Sequence, residues 1–310
     1  MGAGVSINGA EKTALILAGP TASGKSALSI EIAGQTGGTI INADASQVYA
    51  ELTLLTARPE AHDLAAAPHR LYGVLPATDP CDAQRWRDLA VAELERTPGL
   101  PILVGGTGLY IRALTEGFSD MPEVPADVRA AATARREYLG PEGFHAEVKT
   151  FDPLAAARLP PGDTQRLIRA WEVYEASGRP LTVWMAKPRS GPPPGWRFVT
   201  AVVEPSRPVL HERINRRFDQ MIGKGALEEA RSVAHLDPSL PLMKALGVPE
   251  LLAHLRGELD LPTAIEQAKA SSRQYAKRQS TWFRHQLEDP IRVDPQESVA
   301  GLRKIFATLA

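Results

Sequence analysis

Gly19-Pro-Thr-Ala-Ser-Gly-Lys-Ser26 fits the pattern G-x-x-x-x-G-K-[ST] of a phosphate-holding loop, and its neighbours are those that such a loop requires. Thr13-Ala-Leu-Ile-Leu-Ala18 reads as a buried parallel strand, and Ser26-Ala-Leu-Ser-Ile-Glu-Ile-Ala33 reads as an amphipathic helix. A strand, a glycine loop and a helix N-terminus in series aim backbone N–H groups and the positive end of a helix dipole at a polyphosphate. Lys25 adds a point charge, and the Ser26 hydroxyl is placed to hold a Mg²⁺ that bridges phosphate oxygens. The stretch therefore predicts an α/β fold with a diphosphate or triphosphate site.

Working outward, Thr39–Asp44, Leu100–Thr107 and Arg197–Val203 read as further strands, with Ile291–Val293 a short last one. Strands alternating with helices predict a P-loop parallel sheet flanked by helices, with ligands outside the carboxyl ends of the strands. That rule gathers the glycine loop, Asp44 and Thr107. Between Ser119 and Gly195 the pattern turns helical, over Ala126–Leu139, Gly143–Thr150, Asp152–Arg158, Asp163–Ser177 and Leu181–Ala186, before the proline tract Pro188–Pro194. The expected organisation is a catalytic core from residues 1–118 and 196–310, interrupted by an all-helical insertion domain at 119–195. After the fourth strand, Pro208–Ile222, Leu227–Leu236, Val248–Arg256 and Pro262–Leu287 read as helices.

At 310 residues, one large domain carrying an insertion accounts for the length. No apolar run approaches the length of a membrane-spanning helix, and Met1–Lys12 reads as a flexible leader rather than a signal peptide. The single Cys81 excludes a disulfide framework and a cysteine-pair zinc site, so the cytoplasm is the expected compartment. With a net charge of −1, any nucleic-acid contact must come from local basic patches.

Four constellations outside the loop bear on chemistry. Asp44, at a strand end, fits a Mg²⁺ ligand, a general base or a turn cap. Gly105-Gly-Thr-Gly-Leu-Tyr110 either lets backbone and the Thr107 hydroxyl approach a ligand or is a glycine turn with Thr107 as helix cap. The third strand ends here without an acid to hold magnesium, which disfavours ordinary ATP hydrolysis and favours a diphosphate leaving group. Arg213 and Arg217, four apart with Arg216 beside them, suit either a bidentate diphosphate clamp or a solvated helix face. Lys269–Arg284 holds five basic residues and no acid. Its stripe of Lys269, Arg273 and Lys277, interleaved with Tyr275, Trp282 and Phe283 and with Gln274 and Gln279, suits RNA phosphates and stacked bases; the alternative is that the rings are core. Gln165-Arg-Leu-Ile-Arg169 is a second basic spot.

Together these segments resemble the tRNA dimethylallyltransferases (tRNA isopentenyltransferases). The resemblance rests on Gly19–Ser26, Asn42-Ala-Asp-Ala-Ser-Gln-Val-Tyr49, Ala67–Leu71, Leu103–Tyr110, Asp163–Ala170, Arg213–Met221 and Arg273–Arg284, in family order over nearly the whole chain. It implies transfer of a dimethylallyl group from dimethylallyl diphosphate to N6 of adenosine 37 beside the tRNA anticodon, with Asp44 as base and Thr107 near the reaction centre. It also implies that Gly19, Thr21, Ala22, Ser23, Gly24, Lys25, Ser26 and Arg217 hold the diphosphate, with Mg²⁺ neutralising it. Asp44, Ala45, Ser46, Gln47, Arg129, Gln165, Arg166, Arg169, Lys244, Arg273, Lys277, Arg278, Gln279 and Trp282 then lie against the anticodon stem-loop of a tRNA, and the enzyme is a monomer. The chain departs from the family at Leu52–Pro59 and Gly247–Glu250. An isopentenyltransferase acting on free adenine nucleotides, or a small-molecule kinase, would share the loop without needing the basic aromatic helix.

Overall fold

The computed structural model describes residues 11–309. The elements in order are β1 (Lys12–Ala18), α1 (Lys25–Thr36), β2 (Thr39–Asn42), α2 (Ala61–Ala66), β3 (His69–Arg70), α3 (Ala83–Arg96), β4 (Pro101–Gly105), α4 (Gly108–Thr115), α5 (Ala126–Phe151), α6 (Pro153–Arg158), α7 (Thr164–Ser177) and α8 (Leu181–Met185). Then follow β5 (Trp196–Val203), α9 (Arg207–Gly223), α10 (Ala226–Ser232), a 3₁₀ turn at Pro241–Lys244, α11 (Val248–Leu255), α12 (Leu261–Gln286), β6 (Ile291–Val293) and α13 (Ser298–Leu309). The strands form one sheet in the order β3-β2-β4-β1-β5-β6. Every pairing is parallel.

β1 lies inside the sheet, between β4 and β5, so both its faces are covered. Its residues Ala14–Ala18 are at most 1% exposed, which explains an apolar run without alternation. Leu28 and Ile32 of α1 and Leu302 and Ile305 of α13 join Leu15, Leu17, Val199, Val203 and Val293 in the core. Because all strands run the same way, the ends of β1, β2 and β4 open on one edge, where the glycine loop, Asp44 and Thr107 emerge.

The chain divides into two compact units: one runs up to Thr115 and resumes at Pro193, and the other is Glu116–Pro192. The second has its own core of Phe144, Val148, Leu167, Ala170 and Val173. Its first helical run, α5, is broken at Gly140 (φ 67°), just before Pro141, where the sequence separates two helices. Asp152 is 1% exposed and fully engaged. Its carboxylate caps α6 through Ala155 N (3.0 Å) and accepts from Thr182 N (3.0 Å) and Thr182 Oγ1 (2.7 Å).

Several expected boundaries shift. β2 stops at Asn42 rather than Asp44, because the Asn42 side chain accepts from Asp44 N (2.8 Å) and turns the backbone out of the sheet. β4 is Pro101–Gly105, shorter than expected, and α10 ends at Ser232 rather than Leu236. The two-residue β3 and the helices α2, α3 and α13 were not anticipated. α3 carries a readable signal: Asp82 caps it through Arg85 N (2.8 Å), and Trp86, Ala90 and Leu94 form its buried stripe. Of the expected leader, residues 1–10 lie outside the described residues; Lys12 instead opens β1 and pairs with Glu95 at 2.6 Å.

Candidate active site

The loop between β1 and α1 folds tightly: Ser23 N donates to Pro20 O at 3.1 Å, and Gly24 takes φ 100° immediately before α1. Ala22 also has positive φ, 63°, a conformation that costs a non-glycine residue about 1 kcal/mol or more and is found where a site requires it. The Ser23 hydroxyl is buried without a partner in the loop's interior. Two arginines of α9 meet this loop. Arg217 donates to the Thr21 hydroxyl, and Arg213 donates to Ser23 O at 3.1 Å. Arg216, between them in sequence, points elsewhere and pairs with Glu212 at 3.5 Å, both exposed. The choice between clamp and solvated face thus divides by residue.

Lys25 donates to Pro20 O at 3.3 Å. Burial pushes its ammonium down to about 8, partly opposed by the Asp44 carboxylate and reinforced by the Arg217 guanidinium. Burial also lowers Arg217, again opposed by Asp44. Two desolvated cations and one carboxylate therefore share the edge of the sheet, and a bound anion would relieve the cations' desolvation.

Asp44 sits in a braced turn. Asn42 Nδ2 donates to Asp44 O (3.0 Å) and to Leu71 O (3.1 Å). Asp44 Oδ1 accepts from Ser46 N (3.1 Å) and Ser46 Oγ (2.7 Å), which fixes the carboxylate rotamer. Trp86 of α3 supports the turn from below, its Nε1 donating to Asn42 O at 2.9 Å and its ring stacked 4.5 Å from Tyr110. Ala45 N donates to Thr107 Oγ1 at 2.9 Å, so the Thr107 hydroxyl braces the Asp44 turn, while the Thr107 carbonyl opens α4 by accepting from Tyr110 N and Ile111 N. Gln47 is half-buried and turned inward, its amide donating to Thr56 O (2.8 Å) and Ala57 O (2.9 Å).

One face of α12 lies along the glycine turn after β4. Tyr275, Gln279 and Trp282, spaced i, i+4, i+7, meet Thr107, Gly106 and Gly108 in turn. Tyr275 lies beside Thr107, and burial, with Asp44 nearby, raises its phenol well above the ordinary tyrosine range. A Cβ at Gly106 would overlap the Gln279 amide, and one at Gly108 would overlap the Trp282 ring, which is why this turn is glycine-rich.

The basic stripe of α12 requires correction. Lys269 is 8% exposed and bonded to Asp219 (2.7 Å) and Glu266 (2.9 Å). Arg273 is half-buried and donates to Asn215 Oδ1 at 2.6 Å. Gln279, expected against RNA, is 5% exposed, with Oε1 accepting from Thr21 N (2.9 Å) and Nε2 donating to Gly106 O (2.9 Å). Lys277 and Arg278 are exposed, with the Arg278 guanidinium 5.5 Å from the Tyr275 ring; Trp282 is half-buried. The stripe misleads because α12 packs one face against the core, and Lys269 lies on that buried face.

Lys244 is exposed at the end of its 3₁₀ turn. In the second unit Arg129, Gln165 and Arg166 are exposed, and Arg169 is half-buried and pairs with Glu172 at 3.2 Å. At the departures from the family pattern, the Glu229 carboxylate collects Thr53 N, Leu54 N and Leu55 N at 2.6–2.8 Å, and Glu250 Oε1 accepts from Ser271 Oγ at 2.6 Å while Glu250 Oε2 is buried without a partner.

Sequence reasoning did not pair Tyr275 with Thr107, or Gln279 with the loop. The i, i+4, i+7 spacing was the available signal.

A parallel sheet with a glycine loop at its centre, cations converging on that loop and a carboxylate at the next strand end define a P-loop α/β enzyme architecture. A family model described as IPP transferase matches residues 47–286, and one described as isopentenyl transferase matches 12–75. The tRNA dimethylallyltransferases of Rhodospirillum centenum and Paramagnetospirillum magneticum are 52% and 49% identical to this chain, each match covering 94% of both chains. The crystal structure of the tRNA delta(2)-isopentenylpyrophosphate transferase of Staphylococcus epidermidis superposes with a TM-score of 0.67 at 28% identity, over 96% of this chain and 99% of that one. A eukaryotic dimethylallyltransferase acting on tRNA shares the fold, with a TM-score of 0.79 at 23% identity over 95% and 78% of the two chains. This chain belongs to the IPP transferase family, with the tRNA dimethylallyltransferases as its relatives.

Proposed function

We propose that this enzyme transfers the dimethylallyl group of dimethylallyl diphosphate to N6 of adenosine 37 in tRNA, releasing diphosphate, and that it works as a cytoplasmic monomer. The observation that carries the reading is the convergence of Lys25, Arg213 and Arg217 on the glycine loop, with the Asp44 carboxylate near enough to act on the first and last of them. The cations suit a leaving diphosphate, and the carboxylate suits an amine that must lose a proton. β4 ends in Gly105 and runs into Gly-Thr with no acid, as a transferase without ATP hydrolysis allows.

An adenine amine is a weak nucleophile, so alignment and a nearby base carry the rate. In the reaction, the N6–C1 bond forms as the C1–O bond to diphosphate breaks, and the amine proton passes to Asp44. Thr107 and Ser46 hold that carboxylate's turn and rotamer. The loop N–H groups, Lys25 and Arg217 take up the charge developing on the diphosphate. The acceptor base must leave its stack to reach this edge, and Trp282 with the exposed Lys277 and Arg278 offers the RNA-competent surface beside it. Lys244 and, in the second unit, Arg129, Gln165, Arg166 and Arg169 are further candidates for contacts along the anticodon stem-loop.

Among the described residues no cluster of three His, Cys, Asp or Glu side chains suits a metal ion. The donor set fits a Mg²⁺ that arrives on the diphosphate, with the exposed Ser26 hydroxyl as its protein ligand. Bound there, the ion would neutralise the leaving group.

Incubation with labelled dimethylallyl diphosphate and unmodified tRNA should label the tRNA at adenosine 37 without consuming ATP. Labelling of free AMP at a comparable rate, or phosphate transfer from ATP, would overturn the reading.

A further inference from the structure

Thr21 is gripped from two helices. Its hydroxyl is held by Arg217 of α9, and its backbone N–H by Gln279 of α12 at 2.9 Å. Gln279 is 5% exposed, and the other end of its amide reaches Gly106 O at 2.9 Å, on the turn that carries Thr107. One side chain thus bridges the donor loop and the acceptor-side turn. A Cβ at Gly106 would overlap that amide, so its place is built in on both sides.

The same helix faces two ways. Ala268, Ser272, Ala276, Gln279 and Phe283 form its buried side, while Lys277 and Arg278, two and one residues before Gln279, are exposed. α12 is a continuous helix, so a displacement of its exposed side moves Gln279 with it.

We propose that Gln279 is a positioning residue that couples the two substrates: RNA seated on the outer face of α12 sets, through Gln279, where Thr21 stands in the diphosphate loop. This rests on the reading of the enzyme as a tRNA dimethylallyltransferase. It departs from the expectation that Gln279 itself contacts RNA. Because coupling between two binding sites is reciprocal, the donor should tighten RNA binding by the same factor.

The test uses the full chain and an anticodon stem-loop RNA carrying purine in place of adenosine 37, which has no amine to alkylate. The dissociation constant of dimethylallyl diphosphate is measured with and without this RNA. The wild type should bind the donor at least about fivefold more tightly when RNA is present, the lower end of typical coupling. Gln279→Met keeps the volume and removes both hydrogen bonds, and its ratio should fall to about one while RNA affinity changes less than about twofold. Gly106→Ala keeps the glutamine but displaces it, and should lose coupling too, so the inference survives a folding defect in either variant. A purely structural role would lower the melting temperature of both and leave the ratio at its wild-type value, which overturns the proposal. A wild-type ratio of one also overturns it. Failure of wild-type enzyme to alkylate the adenosine-37 RNA would remove the underlying reading instead.

Discussion

The Thr107 hydroxyl accepts a hydrogen bond from the backbone N–H of Ala45 at 2.9 Å, tying the turn after β4 to the residue that follows Asp44. Through this bond the ends of β2 and β4 hold the carboxylate at a fixed place on the sheet edge. Tyr275 closes the arrangement from α12, lying beside Thr107. The order is one of support: Thr107 and Ser46 orient Asp44, the base in the proposed reaction, and Trp86 and Asn42 brace the turn beneath.

Asp44→Asn keeps the shape and the Ser46 contacts but removes the proton acceptor. Turnover should fall by about 10²–10⁴, the usual contribution of a general base, with donor and RNA affinities changed far less. Single-turnover rates with both substrates saturating, measured across a magnesium titration, check this. Recovery of the rate in excess magnesium would make Asp44 a metal ligand instead.

Much of this edge is legible in the sequence because its residues are contiguous: the loop Gly19–Ser26, the Asn42–Asp44 turn and Gly105–Gly108 each announce local backbone geometry. The partners across space are not. Gln279 lies 258 residues from Thr21, and nothing in its neighbours shows that both ends of its amide are engaged internally. Lys269 was read as part of a basic face because helical periodicity gives the stripe but not which side is buried. Conversely, α3, not anticipated from the sequence, carries a cap at Asp82 and a buried period within its fourteen residues, a signal that needs no distant contact.

The correction to α12 separates two kinds of lysine. Replacing Lys277 and Arg278 by alanine should weaken tRNA binding and reduce the salt dependence by roughly 0.7–0.9 log units per lost phosphate contact. Lys269→Ala should leave that slope unchanged and instead destabilise the fold by about 1 kcal/mol or less, since its partners Asp219 and Glu266 are more than half exposed and are rehydrated when it is lost. Filter binding across a potassium chloride series and thermal melts distinguish the two.

The second unit offers a stability test independent of the active site. Asp152 accepts from three donors while 1% exposed, joining the start of α6 to the start of α8. Asp152→Ala leaves those donors unpaired and removes a cap, so the loss should be about 2–4 kcal/mol. Denaturant unfolding should show it, and a variant as stable as wild type would contradict this account of the unit.

Lys25 gives the chemistry a pH signature. In the free enzyme burial holds its ammonium at about 8, well below the ordinary lysine range. The proposed diphosphate, an anion placed against the same nitrogen, would raise it again. Below pH 8 the lysine is charged in both states and affinity for dimethylallyl diphosphate is flat. Above pH 8 binding must take up a proton, so affinity falls as pH rises, until the pKa of the complex is reached. The second ionisation of a phosphate ester lies near 6, so the donor itself does not titrate in this window. Isothermal titration at pH 7 and pH 9 should therefore show the donor dissociation constant rising roughly tenfold, with about one proton taken up per donor at the higher pH. Lys25→Arg, charged throughout, should abolish the dependence while keeping much of the binding. Lys25→Ala should lose about 3–4 kcal/mol of transition-state stabilisation, the scale of one preorganised charge at a developing anion. A dissociation constant that stays level from pH 7 to pH 9 in the wild type would remove Lys25 from the diphosphate.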